Sequence, residues 1–154
     1  MKLSPRLPAL VALAFLATAG SSAAEAPEDA ARKAHQAYLD AINANDLDQF
    51  LATVTDDIVF IAPNAPVMEG KAEVAPWVGG YFEAVATAWE KTTVEFVVSG
   101  DWAFERYTYK VVDTPRDGGT AYSDTGSGIN IYRLDKDGVW RVARDVWATN
   151  RPLP

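Results

Sequence analysis

The chain is 154 residues long, about one domain's worth, and its 49% hydrophobic and 23% charged content is that of a globular protein and not of a disordered one. With 21 acidic against 14 basic residues it carries a formal charge of -7 and no run of Lys or Arg, which argues against a nucleic-acid partner. The lack of cysteine excludes disulfides, thiolate nucleophiles and Cys-ligated metal, and a single histidine, His35, excludes a multi-His site within one chain, so neither metal nor cofactor is expected.

Residues 1–24 read as a secretory signal peptide. Lys2 and Arg6 charge its start, 7–19 is an apolar stretch, and Ser22-Ala23-Ala24 supplies the small residues before a cleavage site at Glu25. The apolar stretch is shorter than the roughly 20 residues that span a bilayer, so no membrane anchor is expected and the protein is placed in the periplasm or outside the cell. Residues 25–154 then form the mature domain.

In that domain Pro27 with Glu28 and Asp29 predicts a helix start, since proline lacks the N–H that would be orphaned there and acids oppose the positive end of the helix dipole. Ala31, His35, Tyr38 and Ile42 follow helical spacing on one face, and Asn43-Ala44-Asn45 ends the helix. Asp46 with Gln49 three residues on is a capping box for a second helix, with Leu47, Phe50, Leu51 and Val54 as its buried stripe. A strand over 58–62 is stopped by Pro63-Asn64-Ala65-Pro66, and after Gly70 a third helix is predicted over 71–89, carrying Val74, Trp77, Val78, Tyr81, Phe82 and Val85. The period then becomes two. Strands are predicted over 92–99, with Val94, Phe96 and Val98 on one face, and over 102–112, 121–134 and 139–148, separated by polar and glycine-rich turns. Gly126 and Gly128 predict a bulge or sharp bend. Helices followed by an antiparallel meander make an α+β fold, with the helices on one face of a curved sheet.

Three segments carry a resemblance. They are Ala37-Tyr38-Leu39-Asp40-Ala41-Ile42-Asn43-Ala44-Asn45-Asp46-Leu47-Asp48, then Asp56-Asp57-Ile58-Val59-Phe60 leading to Met68-Glu69-Gly70, and then the run from Asp124-Thr125-Gly126 through Ile131-Tyr132-Arg133 and Asp137-Gly138-Val139-Trp140 to Arg144-Asp145-Val146-Trp147. In this order they resemble the cone-shaped fold of the nuclear transport factor 2 superfamily, and within it the SnoaL-like branch and the domains of unknown function close to the ketosteroid isomerase-like proteins. The resemblance implies a cavity inside the cone. The isomerase site joins a carboxylate base to an oxyanion hole made of a tyrosine and a protonated aspartic acid. Carried over residue by residue, the tyrosine falls on Tyr38 and the acid near Asn130, whose amide can donate a hydrogen bond without a raised pKa. The base falls on Ala62, before Pro63, which cannot take a proton, so steroid isomerisation by that mechanism is not expected.

Asp145 is the candidate replacement. The same alignment turns it into the cavity with Ala143 and Trp147 and leaves Val142 and Val146 outside. A buried acid among Val and Trp suits proton transfer, whereas the competing reading pairs it with Arg106, Arg141 or Arg144. His35 lies three residues before Tyr38, either as an acid or base at the pocket mouth or as a half-exposed helix histidine. Five Trp and six Tyr are generous for this length, and Phe60, Trp77, Tyr107, Tyr132 and Trp147 are candidate pocket walls for a flat apolar ligand. Alternation turns Tyr107, Tyr109 and Val111 inward; the isomerase alignment turns Arg106 and Thr108 inward instead.

The expectation is therefore an exported domain binding a small apolar organic molecule, with Asp145, Tyr38 and Asn130 as the catalytic set for cofactor-free proton transfer or hydration. The rival is a non-catalytic ligand-binding or dimerisation module of the cell envelope. Apolar residues on both faces of the last strands, above all Ile129, Ile131, Trp140 and Val142, predict a homodimer through the outer sheet face.

Overall fold

A computed structural model describes residues 26–152, so the expected signal peptide lies outside the described residues. The elements are α1 (Pro27–Ala44), α2 (Leu47–Ala52), β1 (Val54–Ile61), β2 (Met68–Glu69), α3 (Lys71–Ala84), β3 (Val85–Ser99), β4 (Trp102–Pro115), β5 (Tyr122–Leu134) and β6 (Trp140–Thr149). One curved sheet takes the strands in the order β2-β1-β6-β5-β4-β3. From β3 to β6 it is the expected antiparallel meander, while β1 joins β6 in parallel, so the sheet is mixed. Among the described residues no helix is long and apolar enough to cross a membrane.

The local signals of the N-terminal half act as expected. Asp46 accepts both the backbone N–H and the side-chain amide of Gln49, each at 2.9 Å, which closes the start of α2. The buried stripe of α1, Ala31, Tyr38, Ala41 and Ile42, packs on a core that includes Phe50, Ile58, Val74 and Phe82. Asn45 ends α1 in the left-handed region, at φ 54.

The third helix is five residues shorter than periodicity predicts, and the cause is the end of α1. Asn43 accepts the N–H of Trp89 and donates to its carbonyl, and Asn45 does the same for Thr87. Two asparagine amides thus stand in for a missing strand on the free edge of β3, and residues 85–89 join the sheet. Val85 and Thr87 are β-branched, which favours that outcome.

Two irregularities decide which side chains face inward. In β3 the pairing shifts between Thr93 and Glu95, leaving Val94 as the extra, exposed residue. Val94 therefore does not share a face with Phe96 and Val98, which pack against the core. In β6 the pairing shifts between Val142 and Arg144, with Ala143 as the extra residue. Strict alternation could not bury both Val142 and Asp145; the bulge buries both. Trp140 and Val142 are therefore core residues, 6% and 0% exposed, and the expectation that they lie on the outer face is corrected.

Gly126 and Gly128 make no bulge, because β4 and β5 pair without a break from Tyr122 to Arg133. The glycines make room instead. A Cβ on Gly128 would stand 2.5 Å from the Tyr107 hydroxyl oxygen, and one on Gly126 would stand 2.5 Å from the Tyr109 ring. The two tyrosine rings lie over the glycines and reach across the sheet.

Candidate functional site

The helices and the inner face of the sheet enclose a cavity of about 770 Å³. Its wall takes Tyr38 from α1, Phe60 from β1, Trp77 and Tyr81 from α3, Trp89 and Lys91 from β3, Tyr107 and Tyr109 from β4, and Asp145 and Trp147 from β6. Trp147 meets Phe60 edge-on at 5.6 Å and Trp77 at 6.3 Å, ring centre to ring centre. Of the two readings left open for β4, alternation is right: Tyr107, Tyr109 and Val111 face inward and are buried, and Arg106 and Thr108 are exposed.

A row of three polar side chains crosses the inner face of the sheet. Glu105, Asn130 and Asp145 are register partners across β4, β5 and β6, and all three are buried. Asp145 accepts from the Tyr38 hydroxyl at 2.6 Å and from the Tyr107 hydroxyl at 3.2 Å, one on each carboxylate oxygen. Burial first, and then the Asp145 carboxylate, pushes both phenols well above their ordinary range, so they remain donors. None of the arginines considered for Asp145 reaches it. Arg106 pairs with Glu95, Arg141 with Asp135 and Asp137, and Arg144 with Asp57.

Glu105 has different company. His35 Nδ1 lies 2.7 Å from its carboxylate, the Tyr132 hydroxyl donates to it at 2.9 Å, and the Thr93 hydroxyl donates at 2.5 Å. Burial works to raise its pKa. The bonds from His35, Thr93 and Tyr132, together with the His35 charge, outweigh it and hold Glu105 below the usual glutamate range. Tyr132, expected as a pocket wall, and His35, a candidate acid or base at the pocket mouth, belong to this knot and do not line the cavity. Asn130 does not line it either: its Oδ1 accepts from Lys91 Nζ at 3.0 Å, and its amide nitrogen is buried without a partner.

Lys91 is the residue that the sequence reading missed. Its ammonium nitrogen lies 4.0 Å from the Tyr107 ring centre, 5.1 Å from that of Tyr38 and 5.9 Å from that of Trp89. Desolvation lowers its pKa, and the charges of Asp145 and Glu105 oppose that shift. Elsewhere, Tyr81 and Thr87 donate to Asp113, and Thr149 and Tyr109 to Asp124. Among the described residues no group of three or more His, Asp or Glu side chains could hold a metal ion.

This arrangement of helices, sheet and internal cavity is a known one. The profile of the SnoaL-like domain family matches residues 35–143. The chain belongs to that family, within the nuclear transport factor 2-like superfamily. The structure is similar to that of a ketosteroid isomerase-like protein from Erwinia carotovora atroseptica, with 30% sequence identity and a TM-score of 0.74 over 81% of this chain and 97% of that one. It is similar to a conserved protein from Planctomyces limnophilus, with 27% identity and a TM-score of 0.72 over 79% and 96% of the two chains. At 15% identity it shares the fold of a type 2 hexachlorocyclohexane dehydrochlorinase, with a TM-score of 0.68 over 82% and 88%. No curated protein matches the chain.

Proposed function

We propose that this protein is exported after loss of residues 1–24, binds a small, largely apolar, ring-containing molecule in its cavity, and takes a proton from that molecule with Asp145. The observation that carries this reading is a buried carboxylate on the wall of an open aromatic cavity, with two phenol donors and no ion-pair partner among the described residues. The rival packed module predicts a filled interior, and about 770 Å³ of space speaks against it.

The chemistry follows from the contacts. Tyr38 and Tyr107 each occupy one lone pair of one carboxylate oxygen and fix the plane of the carboxylate. Each oxygen keeps a second lone pair for a proton. The aromatic wall excludes water and holds a flat ligand, so that the C–H bond stays in reach of the carboxylate. The ketosteroid isomerase-like neighbour, at 30% identity, lends support to a ligand-binding cavity in this fold. Ala62 lies on the cavity wall where the resemblance puts the isomerase base, so a 5-ene-3-ketosteroid should not be isomerised.

The test is deuterium uptake from D2O into the methyl group of 2-acetylnaphthalene, followed by mass spectrometry. The wild type should speed uptake, and Asp145→Asn should remove about a hundredfold or more of that rate while leaving ligand binding intact. Equal rates in the two proteins would exclude Asp145 as the base.

We also propose a homodimer through the outer sheet face, on a smaller apolar patch than expected. Val97, Phe104 and Ile131 are neighbours in register across β3, β4 and β5, and Ile129 and Val146 adjoin them. Phe104 is 37% and Ile129 41% exposed. Sedimentation equilibrium should give a dimer that Ile129→Lys dissociates without unfolding; a wild-type monomer would reject it.

A further inference from the structure

The donors expected to steady a negative oxygen in this cavity are already engaged. Tyr38 and Tyr107 both donate to Asp145, and Tyr132 donates to Glu105. Asn130 is not on the wall at all. What the floor offers in their place is Lys91. Its side chain leaves the edge strand β3 and enters the cavity, where Asn130 Oδ1 takes one of its three N–H donors at 3.0 Å. Among the described residues no carboxylate forms an ion pair with it, and apart from Asn130 it has the faces of aromatic rings and the cavity around it. The Tyr107 ring stands between the two working groups. Its face meets the Lys91 ammonium at 4.0 Å, and its hydroxyl meets Asp145 at 3.2 Å. A cation and a carboxylate therefore flank one side chain on the cavity wall.

We propose that Lys91 is the electrophile of this cavity: its ammonium donates to a carbonyl oxygen of the ligand while Asp145 removes the adjacent proton, so the ligands are flat ring systems bearing an enolisable aldehyde or ketone. The C–H bond breaks, the proton goes to Asp145, and the electron pair moves to the oxygen held by Lys91 as an enolate. Return of that proton to the same or a neighbouring carbon restores the ketone and the carboxylate, with no oxidant or reductant needed. Burial among aromatic faces makes the ammonium a stronger donor than a hydrated one, because the low local dielectric strengthens its bond to a charged oxygen. Asn130 is a positioning residue, which aims the ammonium from behind the wall. The proton-transfer half of this proposal rests on the Asp145 reading above; the carbonyl contact does not.

The test uses a matched pair of probes, 2-acetylnaphthalene and 2-ethylnaphthalene, which share the ring system and differ in the carbonyl. Calorimetric titration of the wild type should show the ketone binding about tenfold more tightly, the effect of one hydrogen bond from a charged donor. Lys91→Met, which keeps the unbranched stem, should lose that preference, and Lys91→Arg should keep it. Thermal melts of both variants establish that they are folded, and the arginine variant carries the test if the methionine one is not. Asp145→Asn should keep the preference and lose deuterium uptake. If the preference follows Lys91 but the wild type takes up no deuterium, the Lys91 assignment stands and the Asp145 role falls. Equal binding of the two probes by the wild type, or a ketone preference that survives in Lys91→Met, would overturn the assignment. So would a borohydride-trapped adduct of the ketone on Lys91, which would show a covalent imine in place of a hydrogen bond.

Discussion

Asp145 and Glu105 sit on the same row of the same sheet face, with only Asn130 between them, and the two carboxylates are put to opposite uses. Both are buried and both accept from tyrosines. Glu105 also takes a hydroxyl from Thr93 and has His35 Nδ1 at 2.7 Å, and it does not line the cavity. Asp145 has no ion pair among the described residues and lines the cavity. A buried carboxylate surrounded by donors on every side is a structural knot between α1 and the sheet. A buried carboxylate that is held in place but left open on one side is placed for proton transfer. Burial and a nearby tyrosine do not separate the two cases; the number of close donors and the place on the cavity wall do.

The contrast can be broken most forcefully at Glu105. Glu105→Ala strands His35, Tyr132 and Thr93 inside the protein and should lower stability by about 3 kcal/mol, read from urea unfolding, while the folded fraction keeps its affinity for 2-acetylnaphthalene. A variant as stable as the wild type would show that the knot holds nothing together. Next in size is Gly128→Ala. Its Cβ would meet both the Tyr107 hydroxyl and the Val146 carbonyl oxygen within 2.6 Å, so the ring must leave Asp145. The expected loss is about 1–3 kcal/mol of stability together with a fall in deuterium uptake, and uptake at the wild-type rate would remove Tyr107 from the mechanism. The smallest effect is on pH dependence. Glu105 binds its proton more weakly folded than unfolded, so the stability it supplies is complete above the ordinary glutamate range and is lost as pH falls through its depressed value. Thermal melts taken into acid should therefore fall less steeply for Glu105→Gln than for the wild type; identical slopes would place the acid sensitivity elsewhere.

Much of this was legible in the sequence, and the misses have physical causes. Capping at Asp46 and the stripe of α1 are local, and both read correctly. The resemblance turned Tyr38 and Asp145, 107 positions apart, toward one cavity; that they bond to each other is seen only in the structure. Strand alternation placed Tyr107 inward against the isomerase alignment, and followed two residues back it also turns Glu105 inward, so the knot carried a signal that went unused. Lys91 was lost because 85–89 was assigned to the helix. The asparagine clamps that make it strand act between α1 and β3 and leave no periodic trace. The bulges at Val94 and Ala143 exist only relative to a partner strand, so no single-strand pattern shows them, and Trp140 and Val142 were placed outside for that reason.

The central claim is that one of the two carboxylates moves protons and the other does not. Deuterium uptake into 2-acetylnaphthalene, measured side by side for Asp145→Asn and Glu105→Gln and normalised to folded protein, tests it most directly. The account predicts a loss of about a hundredfold or more for Asp145→Asn and a rate within about threefold of wild type for Glu105→Gln. Equal losses in both variants, or a loss only at Glu105, would contradict it.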